Sequence, residues 1–343
     1  MVVPDEKVPS VDPPTSSETR TNAAPLTDAQ KEHFRAHGWL RLTECFSQEQ
    51  ADWVNKDLWS RLGMDPNDKS SWQARTHMPA HRSFDAQVFA PKAWSAITEL
   101  CGGEDRVVPE SRQWRDSLIV NLGSPEFEAK HVRPQDLDNW HVDGDFFVHY
   151  LDSPEQGLLV IPLYSDIVPG GGGTIICPDA IPKVARHLHD HPEGVSPHMV
   201  PRGDADFSQE TGLGFFADIA RGCADSGFAE AHGAVGDVFL LHPLMLHSAS
   251  RNPLRRLRVI TNPPIFLREP QRFDRDDGAY SLVEQVTLRA LGTESLPGWR
   301  ITAPREFRVP NRLKVQQKMK EEELKRLGGG TEQPGPEVAV PAA

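Results

Sequence analysis

Trp140-His141-Val142-Asp143-Gly144-Asp145 is the stretch around which the rest of this sequence is interpreted. On an extended strand, side chains two residues apart lie on the same face, so His141 and Asp143 can direct an imidazole and a carboxylate to one point. These two groups alone hold a divalent metal loosely. A third neutral nitrogen would complete a two-histidine, one-carboxylate set that leaves positions open for reaction. His247, about a hundred residues later, is the candidate for that third ligand.

Composition limits the classes of function. With 343 residues, of which 38% are hydrophobic and 8% aromatic, the chain can bury a substantial core. The formal net charge of -12 argues against nucleic acid or an acidic membrane surface as the main partner, since either requires a basic patch. No stretch approaches the length of a membrane span, and residues 1–25 lack the apolar run of a secretory signal. We expect a small-molecule substrate and, by default, a cytoplasmic location.

Neither the cysteines nor a second group of histidines predicts another metal site. The four cysteines form no CxxC pair, so we expect buried reduced thiols at Cys45, Cys101, Cys177 and Cys223. His187, His189 and His191 alternate, but a proline and a glycine follow at once. We interpret this cluster as an exposed helix end.

Local signals predict an alternation of short strands and helices. Capping boxes at Thr27–Gln30, Ser47–Gln50 and Ser281–Glu284 mark three helix starts, and the second helix is expected to continue to Gly63. Residues 64–90 are predicted to be irregular and to form a surface loop, although Trp72, Arg75, His77, His81 and Arg82 could line a pocket. Residues 192–231 are poorly patterned and are predicted to be an insertion over the site. The remaining predicted elements are helices over 91–101 and from 179 towards 189, and strands over 39–42, 116–122, 158–163, 174–177, 236–241 and 257–260.

These elements predict a mainly β fold with flanking α-helices, in which a jelly-roll barrel carries helices packed on one sheet. We expect a disordered tail over residues 1–25 and a jelly-roll domain over 26–310. Residues 311–343 are predicted to form a charged helix, stopped by Gly328-Gly329-Gly330, and a disordered tail. Because its apolar residues form no clean stripe, the helix is interpreted as a solvated appendage, with a partner-binding helix as the alternative.

The order of these features resembles the phytanoyl-CoA dioxygenase family of iron(II)- and 2-oxoglutarate-dependent dioxygenases. The resemblance covers roughly residues 26–292 by pattern. The residues that carry it are Gly38-Trp39-Leu40 after the first helix, the HxD motif at His141 and Asp143, a glycine-rich turn with Thr174, and Gly236-Asp237-Val238-Phe239-Leu240-Leu241-His242-Pro243-Leu244-Met245-Leu246-His247 followed by Arg258. The resemblance implies a double-stranded β-helix of the cupin-like type.

The same resemblance implies roles for single residues. His141, Asp143 and His247 would bind Fe(II), and Arg258 would pair with the distal carboxylate of 2-oxoglutarate, with O2 as the second co-substrate. A guanidinium suits this role because its fixed fork of donors matches a carboxylate. Arg251, Arg255 and Arg256 are the competing arginines, and they are expected to be solvent-exposed around the Asn252-Pro253 turn.

Four further residues are weighed against this pattern. Asn121 and Thr174 match positions where relatives direct polar groups at the co-substrate, whereas the alternative role for each is a local cap or turn partner. His242 precedes His247 by five residues and is expected to face the other side, as a core residue or a neighbour of the ligands. Asp138 stands where several relatives have a glutamine, and it would repel 2-oxoglutarate unless it pairs with a basic group.

Asp145 is the rival of Asp143 as the metal-binding carboxylate. Gly144 allows a bend, so Asp145 could instead hydrogen-bond a ligand or the following loop. Retention of Asp143 disfavours halogenation, because halogenating relatives lack this carboxylate.

The predicted function is therefore oxidation of a C–H bond in a small organic substrate, most commonly by hydroxylation, with release of succinate and CO2. Two alternatives stay open. One is a cupin-like metal enzyme that does not use 2-oxoglutarate, for which Arg258 would be dispensable, and the other is a non-catalytic relative that binds a ligand. A homodimer also stays open.

Overall fold

The computed structural model describes residues 8–15, 24–209 and 213–328. The twelve strands in these ranges are short, with two to five residues each. They are β1 (Trp39–Leu42), β2 (Arg75–His77), β3 (Ser83–Asp85), β4 (Gln113–Arg115), β5 (Ile119–Asn121), β6 (Leu158–Pro162), β7 (Thr174–Cys177), β8 (Ala229–Ala231), β9 (Val238–Leu241), β10 (Leu246–Ala249), β11 (Arg258–Ile260) and β12 (Pro264–Ile265).

Nine α-helices lie within the described ranges. They are α1 (Asp28–His37), α2 (Gln48–Asn55), α3 (Leu58–Leu62), α4 (Ala86–Phe89), α5 (Pro91–Leu100), α6 (Ile181–Asp190), α7 (Gly214–Arg221), α8 (Leu282–Leu291) and α9 (Arg312–Gly328). All three predicted capping boxes form, at the N-termini of α1, α2 and α8. Helices α1, α5 and α6 pack against α8, which confirms a helical flank. No helix in these ranges is long and apolar enough to cross a membrane.

Ten of the strands form the two sheets of a jelly roll, and β3 and β4 pair only with each other. In the larger sheet the order β1-β9-β6-β12 is joined to β11-β5-β2 by a bridge between Leu163 and Ile260. The smaller sheet has the order β10-β7-β8, and a bridge from His247 to His141 adds the HxD segment at its β10 edge. The predicted jelly roll with flanking helices is confirmed, and its topology places the HxD motif directly beside β10.

The prediction of one long second helix is wrong, because the helix is interrupted between α2 and α3. Arg82 donates hydrogen bonds to the carbonyls of Trp53 and Val54, at 2.6 and 3.1 Å. Asn55 also donates to the carbonyl of Tyr164 at 2.7 Å. The bonds from Arg82 take up carbonyls that a continuous helix would use itself, and the local apolar spacing could not reveal them.

Two segments predicted to be irregular contain regular structure. Residues 64–90 hold β2, β3 and α4, and β2 pairs with β5 through the backbone although its side chains are polar. Residues 192–231 hold α7 and β8, and β8 is an edge strand of the smaller sheet. Such short strands lack the alternation of apolar residues by which strands are predicted.

The ends of the chain also differ from expectation where the structure describes them. In the segment predicted to be disordered, Ser83 donates to the carbonyl of Pro9 and Val11 donates to the carbonyl of Ser83, at 2.9 and 2.8 Å. Helix α9 is docked rather than solvated, since Glu323 is 1% exposed and accepts a hydrogen bond from Arg61 at 2.8 Å. The rest of the predicted N-terminal tail, the glycines after residue 328 and the C-terminal tail lie outside the described residues.

Candidate metal and co-substrate site

Three side chains from the two sequence motifs meet at one point. His141, Asp143 and His247 bring one ligand atom each to within 4.8 Å of one another. Asp143 Oδ1 lies 3.5 Å from His141 Nε2 and 3.4 Å from His247 Nε2. In the described part of the chain, no other group of three or more histidine, cysteine or acidic side chains is arranged to hold a metal ion.

The β ladder sets the position of the two imidazoles. His141 donates its backbone N–H to the carbonyl of His247 at 3.0 Å, and His247 returns the bond at 2.9 Å. Residues paired in this way lie directly opposite each other, so their side chains leave the sheet side by side. The ring centroids are 4.3 Å apart.

Both rings are oriented by the backbone two residues earlier. Nδ1 of His141 lies 2.8 Å from the carbonyl oxygen of Asn139, and Nδ1 of His247 lies 3.0 Å from that of Met245. A carbonyl oxygen only accepts, so each Nδ1 carries the proton and donates it. In each ring Nε2 therefore faces Asp143 and is the nitrogen left to bind a metal.

Asp143 is held as a carboxylate from two sides. Burial would raise its pKa, yet the two imidazoles hold the pKa of Asp143 well below its usual range. Burial would also lower the pKa of His141, but the hydrogen bond and charge of Asp143 raise it. The second carboxylate oxygen, Oδ2, accepts a hydrogen bond from Asn262 Nδ2 at 3.0 Å. Sequence reasoning did not find Asn262, which has no local signal linking it to the HxD motif.

Arg258 lies on β11 of the larger sheet, and no opposite charge among the described residues pairs with it. The residue is 1% exposed, and it donates to the carbonyls of Gly172 and Ile119 at 2.8 and 3.1 Å. Within the described residues no carboxylate forms an ion pair with it. Burial, and then the charge of Arg75, lowers the pKa of Arg258 to about 9. A buried guanidinium of this kind is suited to an anionic ligand.

Asn121 and Thr174 occupy different surroundings. Asn121 pairs with Arg258 across the ladder, but its amide donates to the carbonyl of Ser250 at 2.9 Å and accepts from Gly123 at 3.1 Å. These bonds match the local turn role that was the alternative for this residue. Thr174 is buried on β7, two residues from Ile176, which pairs with His247. It therefore lies on the same sheet face as that histidine.

His77 lies near the site, in a segment that was predicted to be a surface loop. Its side chain is exposed on β2, where the residue pairs with Ile119. Partial desolvation by the surrounding protein, and then the charges of Arg258 and His141, lower the pKa of His77 to about 4. His77 is therefore within electrostatic range of both the arginine and the first histidine of the HxD motif. All three residues of β2 are polar, so no apolar periodicity in the sequence predicts this strand.

The rival residues are engaged elsewhere. His242 is fully buried, with Nε2 3.0 Å from Thr287 Oγ1 on α8, so its prediction as a core residue is confirmed. A turn between β9 and β10 separates it from His247, rather than one continuous strand. Asp145 pairs with Arg312 and does not join the set, and Asp138 pairs with Arg251 at 2.8 Å.

The competing arginines were only partly predicted. Arg256 is exposed as expected, but Arg255 is 6% exposed and donates to the carbonyl of Lys69 at 2.8 Å. Its predicted exposure is wrong because the turn folds inward onto Trp72. The histidines of the second cluster bond separately, His187 to the Met199 carbonyl and the others to neighbouring acids.

A cavity of about 410 Å³ lies elsewhere on the molecule and contains none of these side chains. It is lined by Phe273, Leu296 and Trp299 among others. Size alone would make it a candidate ligand site. The chemistry instead favours the set at His141, Asp143 and His247, because three metal-binding groups come together there and a buried guanidinium without a carboxylate partner lies on β11.

Comparison with known proteins gives matches in overall structure only. No protein-family model matches the sequence, and no curated protein matches it. The non-heme alpha ketoglutarate dependent carbocyclase SnoK from nogalamycin biosynthesis is 15% identical, with a TM-score of 0.40 over 72% of this chain and 86% of that one. HygX from Streptomyces hygroscopicus, with nickel and 2-oxoglutarate bound, is 14% identical, with a TM-score of 0.36 over 71% and 88%. EctD from S. alaskensis is 14% identical, with a TM-score of 0.33 over 77% and 82%. At this level of similarity, the function must be argued from the side chains of this chain.

Proposed function

We propose that this protein is a non-heme Fe(II)- and 2-oxoglutarate-dependent dioxygenase of the phytanoyl-CoA dioxygenase family. Its reaction would oxidise a C–H bond of a small organic substrate, most commonly by hydroxylation, with release of succinate and CO2. The observation that carries the proposal is the combination of a two-histidine, one-carboxylate set with Arg258, a buried cation that has no carboxylate partner among the described residues.

The residues present fit the two groups that this chemistry needs. The Nε2 atoms of His141 and His247, with an ionised Asp143, are the donor set preferred by Fe(II) sites that keep positions open. Arg258 offers a guanidinium for a dicarboxylate. Its remaining hydrogen bonds go to backbone carbonyls, which balance none of its charge.

When bound, iron(II) and 2-oxoglutarate supply an oxidant by oxidative decarboxylation with O2. The protein contributes by holding and orienting the groups that bind the iron and 2-oxoglutarate, and by shielding them from water. The carbonyls of Asn139 and Met245 keep the histidine rings from rotating, and Asn262 fixes the second oxygen of Asp143. Arg258 would bind the distal carboxylate in a region from which water is largely excluded, where a charged pair is strong.

Anaerobic titration of the full chain with iron(II) and then 2-oxoglutarate tests this proposal. We expect a weak visible charge-transfer band in the wild type and none in His247→Ala. Arg258→Met should need about 10- to 100-fold more 2-oxoglutarate, the effect of losing a charged hydrogen-bonded pair. Arg256→Met is the matched control, since this exposed arginine lies two residues away.

Each negative result of this titration would exclude a different part of the proposal. Bound iron without a band would refute the use of 2-oxoglutarate and favour a cupin-like metal enzyme. Absence of iron binding would favour a non-catalytic protein that binds a ligand at the same site. A band that is equally weak in Arg256→Met and Arg258→Met would refute the role of Arg258.

A further inference from the structure

The segment that leads into α9 runs beside the HxD motif. Val148 donates its backbone N–H to the carbonyl of Glu306 at 2.9 Å, and Arg308 donates to that of Phe146 at 2.7 Å. Phe147 and Phe307 form the bridge between these bonds. The C-terminal segment is therefore paired with the chain immediately after the candidate metal ligands.

Arg312, the first residue of α9, binds an acid next to a ligand. Its Nε and Nη2 atoms lie 2.5 and 2.9 Å from the two carboxylate oxygens of Asp145, which is two residues beyond Asp143. The intervening Gly144 has φ +120°, and a Cβ there would lie 2.5 Å from the Phe147 ring. A side chain would not fit at this bend, and Asp145 lies directly beyond it.

The far end of α9 is anchored to the domain. Glu323 Oε2 lies 2.8 Å from both Arg61 Nε and His81 Nε2, and the residue is 1% exposed. Arg326 Nε donates to the carbonyl of Arg61 at 3.1 Å. A helix fixed in this way holds Arg312 beside the HxD motif, as a tethered but otherwise free tail would not.

We propose that Arg312 is a positioning residue for Asp143, and that the C-terminal segment from Glu306 to Gly328 completes the candidate metal site. This inference rests on the proposed function. Arg312 would act through Asp145 and the Gly144 bend, while Asn262 holds Asp143 directly. Because the Arg312–Asp145 pair is about half exposed, its effect should be smaller than that of a direct partner of a ligand.

The affinity of the full chain for Mn(II), measured by electron paramagnetic resonance, tests the role of Arg312. We expect the Kd to rise roughly threefold to tenfold in Arg312→Ala and in Asp145→Asn, with no further rise in the double variant. The melting temperature should change little. Lys318→Ala removes an exposed charge from the same helix and should leave the Kd unchanged.

An unchanged Kd in Arg312→Ala, additive effects in the double variant, or a wild type that binds no Mn(II) would each overturn the inference. Failure of the proposed function would look different. In that case Mn(II) binding would respond to Arg312, but 2-oxoglutarate would produce no charge-transfer band with iron(II).

An independent observation concerns two cysteines that are distant in sequence. Cys177, the last residue of β7, and Cys223, which follows α7, have sulfur atoms 3.4 Å apart. Cys177 is fully buried and Cys223 is 9% exposed. The ammonium of the exposed Lys183 lies 3.8 Å from the sulfur of Cys223. Two thiols therefore lie in contact, and a cation lies beside one of them.

We infer that Cys177 and Cys223 form a reactive dithiol that closes to a disulfide with a peroxide. The Cys223 thiolate would attack one peroxide oxygen and break the O–O bond, giving a sulfenic acid and, after protonation, water. The Cys177 thiol would then attack that sulfur, forming the S–S bond and releasing a second water. Two thiols are oxidised and one hydrogen peroxide is reduced to two waters.

Peptide mapping of the unreduced full chain after treatment with hydrogen peroxide, in a chelator, tests this inference. We expect a cross-linked peptide joining Cys177 to Cys223, with Cys45 and Cys101 still reduced. Closing this long loop should raise the melting temperature by several degrees. Cys177→Ser should instead accumulate a sulfenic acid at Cys223 that dimedone labels, and Lys183→Gln should slow the reaction.

Reduced thiols at both positions after treatment, or cross-links that involve Cys45 and Cys101 equally, would overturn the inference. So would equal reaction rates in wild type and Lys183→Gln together with no dimedone label in Cys177→Ser.

Discussion

Replacing Arg258 by methionine should make the ligand-free protein more stable while weakening its response to 2-oxoglutarate. Methionine is unbranched and apolar, so it has no charge to bury. Arg258 is 1% exposed and has no carboxylate partner among the described residues, so its charge is a cost in the ligand-free state. The residue would then be retained for its ligand and not for the fold.

The magnitude follows from the pKa of Arg258, which burial and then Arg75 lower to about 9. The drop from the ordinary value of arginine corresponds to roughly 5 kcal/mol, as an upper bound. Loss of the hydrogen bonds to the Gly172 and Ile119 carbonyls offsets about 2 to 4 kcal/mol of this. We expect a net gain of about 1 to 3 kcal/mol in the free energy of unfolding. Because the pKa is lowered, the folded state binds this proton less tightly, and the cost is present in full below pH 9 and fades above it.

Urea unfolding with and without Mn(II) and 2-oxoglutarate measures both effects. In the wild type, 2-oxoglutarate at a hundred times its Kd should add about 2.7 kcal/mol, and in Arg258→Met the same concentration should add only about 0.4 to 1.4 kcal/mol. Arg256→Met, in which the removed arginine is exposed, should match the wild type in both respects. A destabilised Arg258→Met protein that 2-oxoglutarate stabilises as much as it does the wild type would refute the reasoning.

Three other predictions address the metal ligands, the docked helix and pH. Asn262→Ala, which frees one oxygen of Asp143, should raise the Kd for Mn(II) about tenfold with little change in melting temperature, and an unchanged Kd would contradict the geometry. Glu323→Ala removes one of the two carboxylate partners of the buried Arg61 and should lower the free energy of unfolding by about 3 kcal/mol in urea, whereas Glu322→Ala on the exposed face should change it by less than about 0.5 kcal/mol. Burial lowers the pKa of His242 to about 3, so the unfolded chain binds more protons between pH 6.5 and 3, and this residue alone should reduce stability by about 1.4 kcal/mol per pH unit as the pH falls. Parallel stability curves for wild type and His242→Gln would contradict that result.

The elements that the sequence predicted best are those whose signal is local. Each capping box needs only a side chain and a backbone N–H three residues apart, and all three boxes form. The strand over 174–177 is an apolar run after a glycine turn, and β7 has those bounds. The HxD alternation likewise brought His141 and Asp143 together. Local spacing is sufficient where the contacts themselves are local.

The parts that were missed depend on contacts between distant residues. Helix α9 carries no apolar stripe because it docks through a buried glutamate whose partners, Arg61 and His81, lie more than two hundred residues earlier. His77 lies on a polar strand that exists only through its pairing with β5. A buried ion pair has no periodicity, so nothing in the sequence around Glu323 distinguishes it from its solvated neighbours.

The arrangement of the candidate ligands depends on two backbone features that residue spacing does not reveal. His141 and His247 are suitable ligands because the ladder places them opposite each other, and because each ring donates Nδ1–H to a carbonyl two residues earlier. Both conditions are backbone conditions and are met before any metal binds. His242 has an imidazole too, but a turn directs it to Thr287 and the core. The choice between the two histidines is therefore made by where β9 ends and β10 begins, and the chemistry of the site follows from that boundary.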